Sequence, residues 1–451
     1  MGAVSALFWG LLILSILVTV HEAGHFLAAR ACGMRVTEFY LGMPSRFHLA
    51  KKSKKYGTEF GVTPLLLGGY TRICGMENAG DERLSEVFAY VQKQGRCDSS
   101  QIASALSVDE EEVEANLNVL FDWAALRDCG MLEQGEKSVL VASTLARDPF
   151  MLTEYDRGHN FELKGSTAEG EARPLVDAKT ALEFERARTY DGKGFFKRFF
   201  CLIAGPAVNI VLAFLVVVGV SMATGFEVAS GTNEIGAVTS DSLAQKAGLE
   251  AGDKITAIND TAVQNWAEIV DSLDKEFKDP HPFELSYERA GKLQKTTINL
   301  PSDGSVKLIG IAAKTTHAYP NFFEASHIAW SYAQIIAGSA VRLIMPQHTV
   351  EVLSQSSSVV GISVMASEAA HSGIHSLLMF AALISMSLGF MNLLPIPPLD
   401  GGKILIEMIQ ASIKRPMSLK AKAVLSYIGL ALLLALFVFA VGNDVLHFIV
   451  R

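Results

Sequence analysis

His21, Glu22 and His25 stand in the stretch LVTVHEAGHFLAAR, Leu17 to Arg30, at the end of an apolar run that begins at Ala3. On a helix, residues four apart share a face, so both imidazoles reach one ion. Two such imidazoles with a glutamate after the first make an HExxH motif. Its chemistry is zinc held by nitrogen ligands, with a carboxylate placed to take a proton from water. Inside a bilayer an ionisable group costs roughly 2.5–3.5 kcal/mol. A shared cation and a local water pocket offset that cost, and the same cost argues against a chance match.

Zinc hydrolases commonly use three protein ligands and keep one position open for water. Asp400 is the candidate third ligand, in the stretch MNLLPIPPLDGGK, Met391 to Lys403. Three prolines break the helix there, and broken backbone at membrane depth is tolerated where it lines a cavity or is buried in protein. His371 and His375 are also four apart. They lack a glutamate after the first histidine and lie at the opposite end of their apolar segment from Asp400.

These residues need membrane elements to carry them. The chain has 451 residues, of which half are hydrophobic and only 19% charged, with a mean hydropathy of +0.28. That balance excludes an ordinary soluble protein. Apolar spans are expected at Ala3–Val20, Phe199–Thr224, Ile374–Leu394 and Ala423–Val441, each with the length needed to cross ~30 Å of hydrocarbon. The first has no basic residue before it and no small-residue cleavage site after it, so it reads as a retained span. Lysines and arginines follow the first span (Arg30, Arg35, Arg46, Lys51, Lys52, Lys54, Lys55), precede the second (Lys193, Lys197, Arg198) and separate the third from the fourth (Lys403, Lys414, Arg415, Lys420, Lys422). A four-span arrangement puts all of them on one face, which the positive-inside rule makes cytoplasmic. Five scattered cysteines, Cys32, Cys74, Cys97, Cys129 and Cys201, make a poor disulfide framework and read as free thiols.

Two soluble modules interrupt the spans. Asn233–Pro301 alternates short strands and helices, and its AGLEAGDKI stretch resembles a PDZ domain of the circularly permuted bacterial kind. Such a domain takes an extended peptide at a sheet edge; the alternative is a rigid plug that screens bulky proteins from the membrane site. Arg83–Ala142 reads as helix, helix, turn, helix and hairpin, with Val113, Leu117, Leu120 and Phe121 at helical spacing and Gly135 at the hairpin tip. This order resembles a winged helix. Its would-be recognition helix opens with Asp109, Glu110, Glu111 and Glu112, and the net charge is −8. Nucleic acid is therefore an unfavourable partner, and a cytoplasmic protein the favoured one.

HEAGH in the first span, NLLPIPPLDGG in a later one and a PDZ-like module between them resemble the site-2 protease family. The likeness is to the bacterial four-span, single-PDZ proteases that cleave regulators of sigma factors. The resemblance implies one catalytic zinc held by His21, His25 and Asp400, with Glu22 as the catalytic base. It implies that Asn392 holds unwound substrate and that Asn209, in AGPAVNIVLA, borders the site. It also implies that Glu59–Met76 forms a membrane-associated β-sheet along which substrate aligns as an added strand, with Gly68 and Gly69 among the substrate-binding residues. Two features depart from the family pattern: SSVVGI at Ser357–Ile362 stands where a Gly-Pro-Val-Gly-Ile sequence is frequent, and the insert stands where a shorter connection is frequent.

The expected architecture is a polytopic α-helical membrane protein with four transmembrane helices, a membrane-associated β-sheet, a winged-helix-like cytoplasmic insert and an extracytoplasmic PDZ domain. Its segments are 1–76 (first span and β region), 83–144 (insert), 145–192 (linker), 193–225 (second span), 230–315 (PDZ), 320–370 (amphipathic outer-surface segment) and 371–451 (third and fourth spans). The expected activity is intramembrane zinc endoproteolysis, with a transmembrane segment such as an anti-sigma factor or signal-peptide remnant as substrate. Its expected place is the bacterial inner membrane, in contact with lipid and open to an extracytoplasmic peptide at the PDZ module. The alternative is a non-catalytic membrane adaptor that binds peptides through the PDZ module and a cytoplasmic partner through the insert.

Overall fold

A computed structural model of the chain describes residues 3–66, 68–76, 83–134, 137–278, 281–300, 308–345, 347–354, 358–413, 415 and 417–448. Gly135, Lys414 and Ser357, named above, lie outside the described residues. The chain divides into two compact units, residues 1–217 with 327–451, and residues 218–326.

The first unit opens with helix α1 (Ala3–Ala31). Gly33 ends it: its positive φ of 72° lets the Met34 N–H turn back to the Ala29 carbonyl at 2.9 Å. Strands β1 (Val36–Leu41), β2 (Leu49–Lys52), β3 (Glu59–Val62) and β4 (Gly69–Ile73) follow and form a sheet in the order β2-β3-β1-β4. β1 pairs with β3 in parallel and with β4 antiparallel, Tyr40 opposite Tyr70. Those two rings stack with centroids 5.2 Å apart. β4 is therefore an edge strand among the described residues, and Thr71 Oγ1 ties it to α1 by donating to the Glu22 carbonyl at 3.1 Å.

The insert contains α2 (Leu84–Gln94), β5 (Arg96–Asp98), α3 (Ser99–Leu106), α4 (Glu110–Asp122), β6 (Leu126–Gln134) and β7 (Lys137–Thr144), with its three strands ordered β5-β7-β6. Asp98 caps α3 in a reciprocal box with Gln101. Val113, Leu117 and Leu120 are buried against Phe88, Val91, Ile102 and Trp123, and Phe121 packs at the margin of that core. α5 (Ala178–Arg186) and α6 (Phe195–Thr224) complete the first half of the chain.

The stretch expected as a linker, 145–192, holds a buried ion cluster. The Arg35 guanidinium donates twice to Asp156, Nε to Oδ1 at 2.9 Å and Nη2 to Oδ2 at 2.5 Å, and through Nη1 to Glu185 at 2.5 Å. Arg147 donates to the other Glu185 oxygen at 2.6 Å. The same two arginines hold the insert: Arg35 reaches the Ala124 carbonyl at 3.1 Å and Arg147 the Ala125 carbonyl at 2.8 Å. Arg35, Arg147 and Glu185 are at most 1% exposed. Burial alone would raise the Asp156 carboxyl, but the Arg35 charge beside it overrides this and brings it down to about 2.

The second unit contains β8 (Phe226–Ala229), β9 (Ile235–Val238), α7 (Leu243–Lys246), β10 (Lys254–Ile258), β11 (Thr261–Ala262), α8 (Trp266–Lys278), β12 (Phe283–Arg289), β13 (Lys292–Ile298), β14 (Ile311–Ala313) and β15 (Thr315–Ala318). Its main sheet runs β11-β10-β12-β13, and Ile235, Ile255, Ile258, Ile269 and Leu285 form its core.

The remaining helices are α9 (Phe322–Leu343), α10 (Thr349–Ser354), α11 (Val359–His371), α12 (Ile374–Asn392), α13 (Asp400–Ile413) and α14 (Leu419–Phe448). Four helical stretches are long and apolar enough to cross a membrane: Val4–Ala31, Phe195–Thr224, Ile374–Asn392 and Lys420–Gly442. Residues 359–371 differ from the reading of 320–370 as an outer-surface segment. They form α11, which packs along α1, with Ser5 and Ser367 hydroxyls 2.9 Å apart. Gly361, Ser363, Ala366 and Ser367 are buried on α11. Small side chains let two helices approach closely, a contact that no hydrophobic period announces. The five cysteines are free thiols, as expected.

Removing half of a buried, charge-paired cluster costs about 3–5 kcal/mol. Glu185→Gln is therefore expected to speed amide exchange around Trp123, Ala124 and Ala125, whose carbonyls Arg35 and Arg147 hold; unchanged exchange there would contradict this. A carboxyl lowered in the fold contributes stability above its unfolded value of about 3.9 and loses it as pH falls through the folded value. Asp156 should thus keep the cluster closed at pH 4 and release it as pH approaches about 2, followed by the same exchange signal.

Candidate metal centre

Helix α1 carries His21 and His25 one turn apart, both buried, and their rings meet edge to face with centroids 4.9 Å apart. Helix α6 passes so close that glycine is needed on both sides of the crossing. A Cβ on Gly24 would come within 2.6 Å of the Ala204 carbonyl oxygen, and one on Gly205 would strike the His25 ring. The approach lets His25 Nδ1 donate to the Cys201 carbonyl at 2.8 Å. That contact fixes the tautomer and leaves Nε2 as a bare lone pair.

Asp400 is the first residue of α13 and is buried. Leu393–Leu399 turns over it through Pro395, Pro397 and Pro398. Gly401 and Gly402 permit this, because a Cβ on either would run into the backbone of Leu393 or Pro397. Asp400 Oδ2 lies 3.1 Å from His21 Nε2 and 3.1 Å from His25 Nε2. The two Nε2 atoms are 3.2 Å apart. Among the described residues these three side chains alone form a group able to hold a metal ion.

The donor set fits zinc. Four ligands at ~2.0–2.1 Å in a tetrahedron stand about 3.3 Å from one another, and the three observed separations lie within 0.2 Å of that figure. Two imidazole nitrogens and a carboxylate oxygen aimed at one point repel without a cation among them. A fourth direction is open: Glu22, His25 and Asp400 line a cleft of ≈ 180 Å³, bordered also by Tyr70, Thr71 and Lys403.

The other expected site residues are placed less uniformly. Gly69 lies against Glu22: a Cβ added there would be 3.6 Å from Glu22 Cγ. Gly68 precedes it, its carbonyl accepting from Gly42 N–H at 2.7 Å. Asn392 ends α12, half-buried, and is not among the residues lining the cleft. Asn209 is fully buried in α6; neither polar atom of its side chain has a hydrogen-bond partner among the described residues. His371 Nδ1 donates within its own helix to the Ser367 carbonyl at 2.6 Å. It stands before the start of α12, whereas Asp400 follows that helix's end. The sequence reading missed Gly205 and Cys201. The small-residue pair Ala204-Gly205 was the only available signal.

Comparison with known proteins agrees with this arrangement. The profile described as Peptidase family M50 matches residues 9–436, and the chain belongs to this family. Zinc metalloprotease RasP of Geobacillus kaustophilus is 28% identical over 97% of both chains. Regulator of sigma-W protease RasP of Bacillus subtilis is 27% identical over 96% of this chain and 97% of its own. The chain is a zinc metalloprotease, and with four membrane-length apolar helices it is a membrane protein.

Gly205→Ala should lower zinc content without changing any ligand, because the added methyl displaces the His25 ring. Metal analysis of purified protein should show a loss of at least half relative to wild type. Full zinc occupancy in this variant would contradict the packing described.

Proposed function

We propose that this chain is an intramembrane endopeptidase that cleaves a transmembrane segment of another protein within regulated proteolysis. The observation that carries the reading is the convergence of His21 and His25, on membrane-length α1, with Asp400, which follows the end of membrane-length α12, and Glu22 facing the same cleft. His21, His25 and Asp400 would hold the ion. Bound there, zinc supplies Lewis-acid polarisation of a scissile carbonyl and makes water more acidic.

A transmembrane helix hides its carbonyls in internal hydrogen bonds, so it must unwind locally before water can attack. The edge of β4, Gly69–Ile73, offers backbone partners to an extended segment beside Glu22. Glu22 would accept a proton from the attacking water on its carboxylate and pass it to the leaving amine nitrogen. Asn392, Asn209, Gly68 and Gly69 are assigned to holding substrate on the strength of the family resemblance. The name of the Bacillus subtilis relative supports a regulator of a sigma factor as the substrate class; a signal-peptide remnant is the other.

The clustering of basic residues supports a cytoplasmic placement of the metal end of α1 and of the insert, with residues between the second and third spans on the other side. The order of α2 to β7 supports the winged-helix-like reading of the insert. The acidic start of α4, Glu110 to Glu112, favours a protein over nucleic acid as its partner. The strand and helix order of 230–315, with glycines at 248 and 252 in the left-handed region, supports the PDZ-like reading and a peptide ligand.

Glu22→Gln is expected to keep zinc and to lose cleavage of a co-expressed single-span reporter by at least about 100-fold, as removal of a general base does. Undiminished cleavage by this variant would overturn the mechanism. Wild-type protein that holds zinc but cleaves no membrane substrate would instead favour the adaptor reading.

A further inference from the structure

A second cavity of ≈ 320 Å³ adjoins the catalytic cleft. Thr71, Ile73, Met76, Leu202 and Lys403 border both, so a segment laid along the outer edge of β4 passes from one to the other. The second cavity differs in character. Arg72, Asp122, Lys403, Glu407 and Lys422 bring five charged side chains to its wall.

Most of that charge is already matched. Arg72 pairs with Glu38 at 3.0 Å and lies in the field of Asp122. Glu407 pairs with Arg198 at 3.2 Å. Asp122, at the end of the insert's α4, accepts the Gly75 N–H at 3.1 Å just beyond β4. Two cations remain. Lys403 Nζ is 3.8 Å from Asp400 Oδ1, and that carboxylate is directed at the two histidines. Half-buried Lys422 makes no ion pair among the described residues. The uncompensated charge of the cavity is therefore positive, next to the strand edge where substrate would lie.

We propose that this cavity is a subsite for an acidic side chain of the substrate, flanking the scissile bond on the side of Ile73. Lys403 and Lys422 supply its cations, and Asp122 makes the insert part of its wall. The proposal rests on the proteolytic reading above. It gives the insert a direct place in substrate selection: Asp122 both closes the cavity and fixes the chain just after the edge strand. An aspartate or glutamate entering here gains a charge-assisted contact, whereas a lysine meets two like charges.

The test uses the full-length protein and a single-span reporter substrate in which Asp, Asn or Lys is placed in turn at each position around the cleavage point. Initial cleavage rates are compared for wild type, Lys422→Glu and Lys422→Ala, with zinc content measured for each. At one position on a single side of the scissile bond, wild type should prefer Asp over Lys by about fivefold or more. Lys422→Glu should reverse that ratio at the same position alone, and Lys422→Ala should flatten it. Cleavage by wild type with no position-specific preference, or a ratio unchanged in both variants, would overturn the subsite and leave the proteolytic reading standing. A reporter series that wild type leaves as intact as Glu22→Gln does would overturn the proteolytic reading, and the subsite with it.

Discussion

Two imidazoles and a carboxylate converge on one point beside apolar helices, a donor set that a shared cation stabilises. Each ionisable group at membrane depth costs roughly 2.5–3.5 kcal/mol on insertion scales. Three lone pairs within about 3.2 Å of one another would also repel. Much of the first unit serves this convergence. Gly24 and Gly205 bring α6 against α1 so that the Cys201 carbonyl can orient His25. The proline turn and the Gly401-Gly402 pair fold the start of α13 under α12, which delivers Asp400. Thr71 then pins an edge strand to the backbone of Glu22, so the Glu22 residue and the strand edge are held together.

The insert is joined to the same machinery by buried charge. Arg35 opens the strand region, Glu185 and Asp156 lie in the stretch between insert and second span, and Ala124 and Ala125 link the insert's third helix to its hairpin. One cluster therefore ties three regions of chain to a single geometry. Such a cluster stabilises less than its gross attraction suggests, because burying the ions is costly. Its effect is to make the position specific: any displacement of the insert takes the Ala124 and Ala125 carbonyls away from two buried arginines. Tyr190 and Arg198 extend the connection to Glu407 on α13, the helix that begins with Asp400.

The chemistry was legible in the sequence because its signals are short-range. HExxH lies within one helical turn, and a broken apolar segment with an aspartate identifies itself by composition. Four spans were readable for the same reason, since hydropathy is a local sum. The ion cluster was not. Arg35 reads as one of several cations marking a membrane face, and its partner Glu185 lies 150 residues away. Singly, each looks like solvated surface; only the fold makes them a core. The packing of α11 on α1 was missed because the buried residues are glycine, serine and alanine, which carry no apolar period. Asp122 lies in the polar sequence of the insert, and nothing local signals its place just beyond β4.

We propose that His21, His25 and Asp400 together hold one zinc ion. X-ray absorption at the zinc edge of the purified full-length protein tests it most directly, together with metal stoichiometry. One zinc per chain in a shell of two imidazole nitrogens with oxygen ligands, lost in a His21→Ala, His25→Ala double variant, is the predicted result. A sulfur-containing shell, or zinc that survives removal of both histidines, would rule out this ligand set.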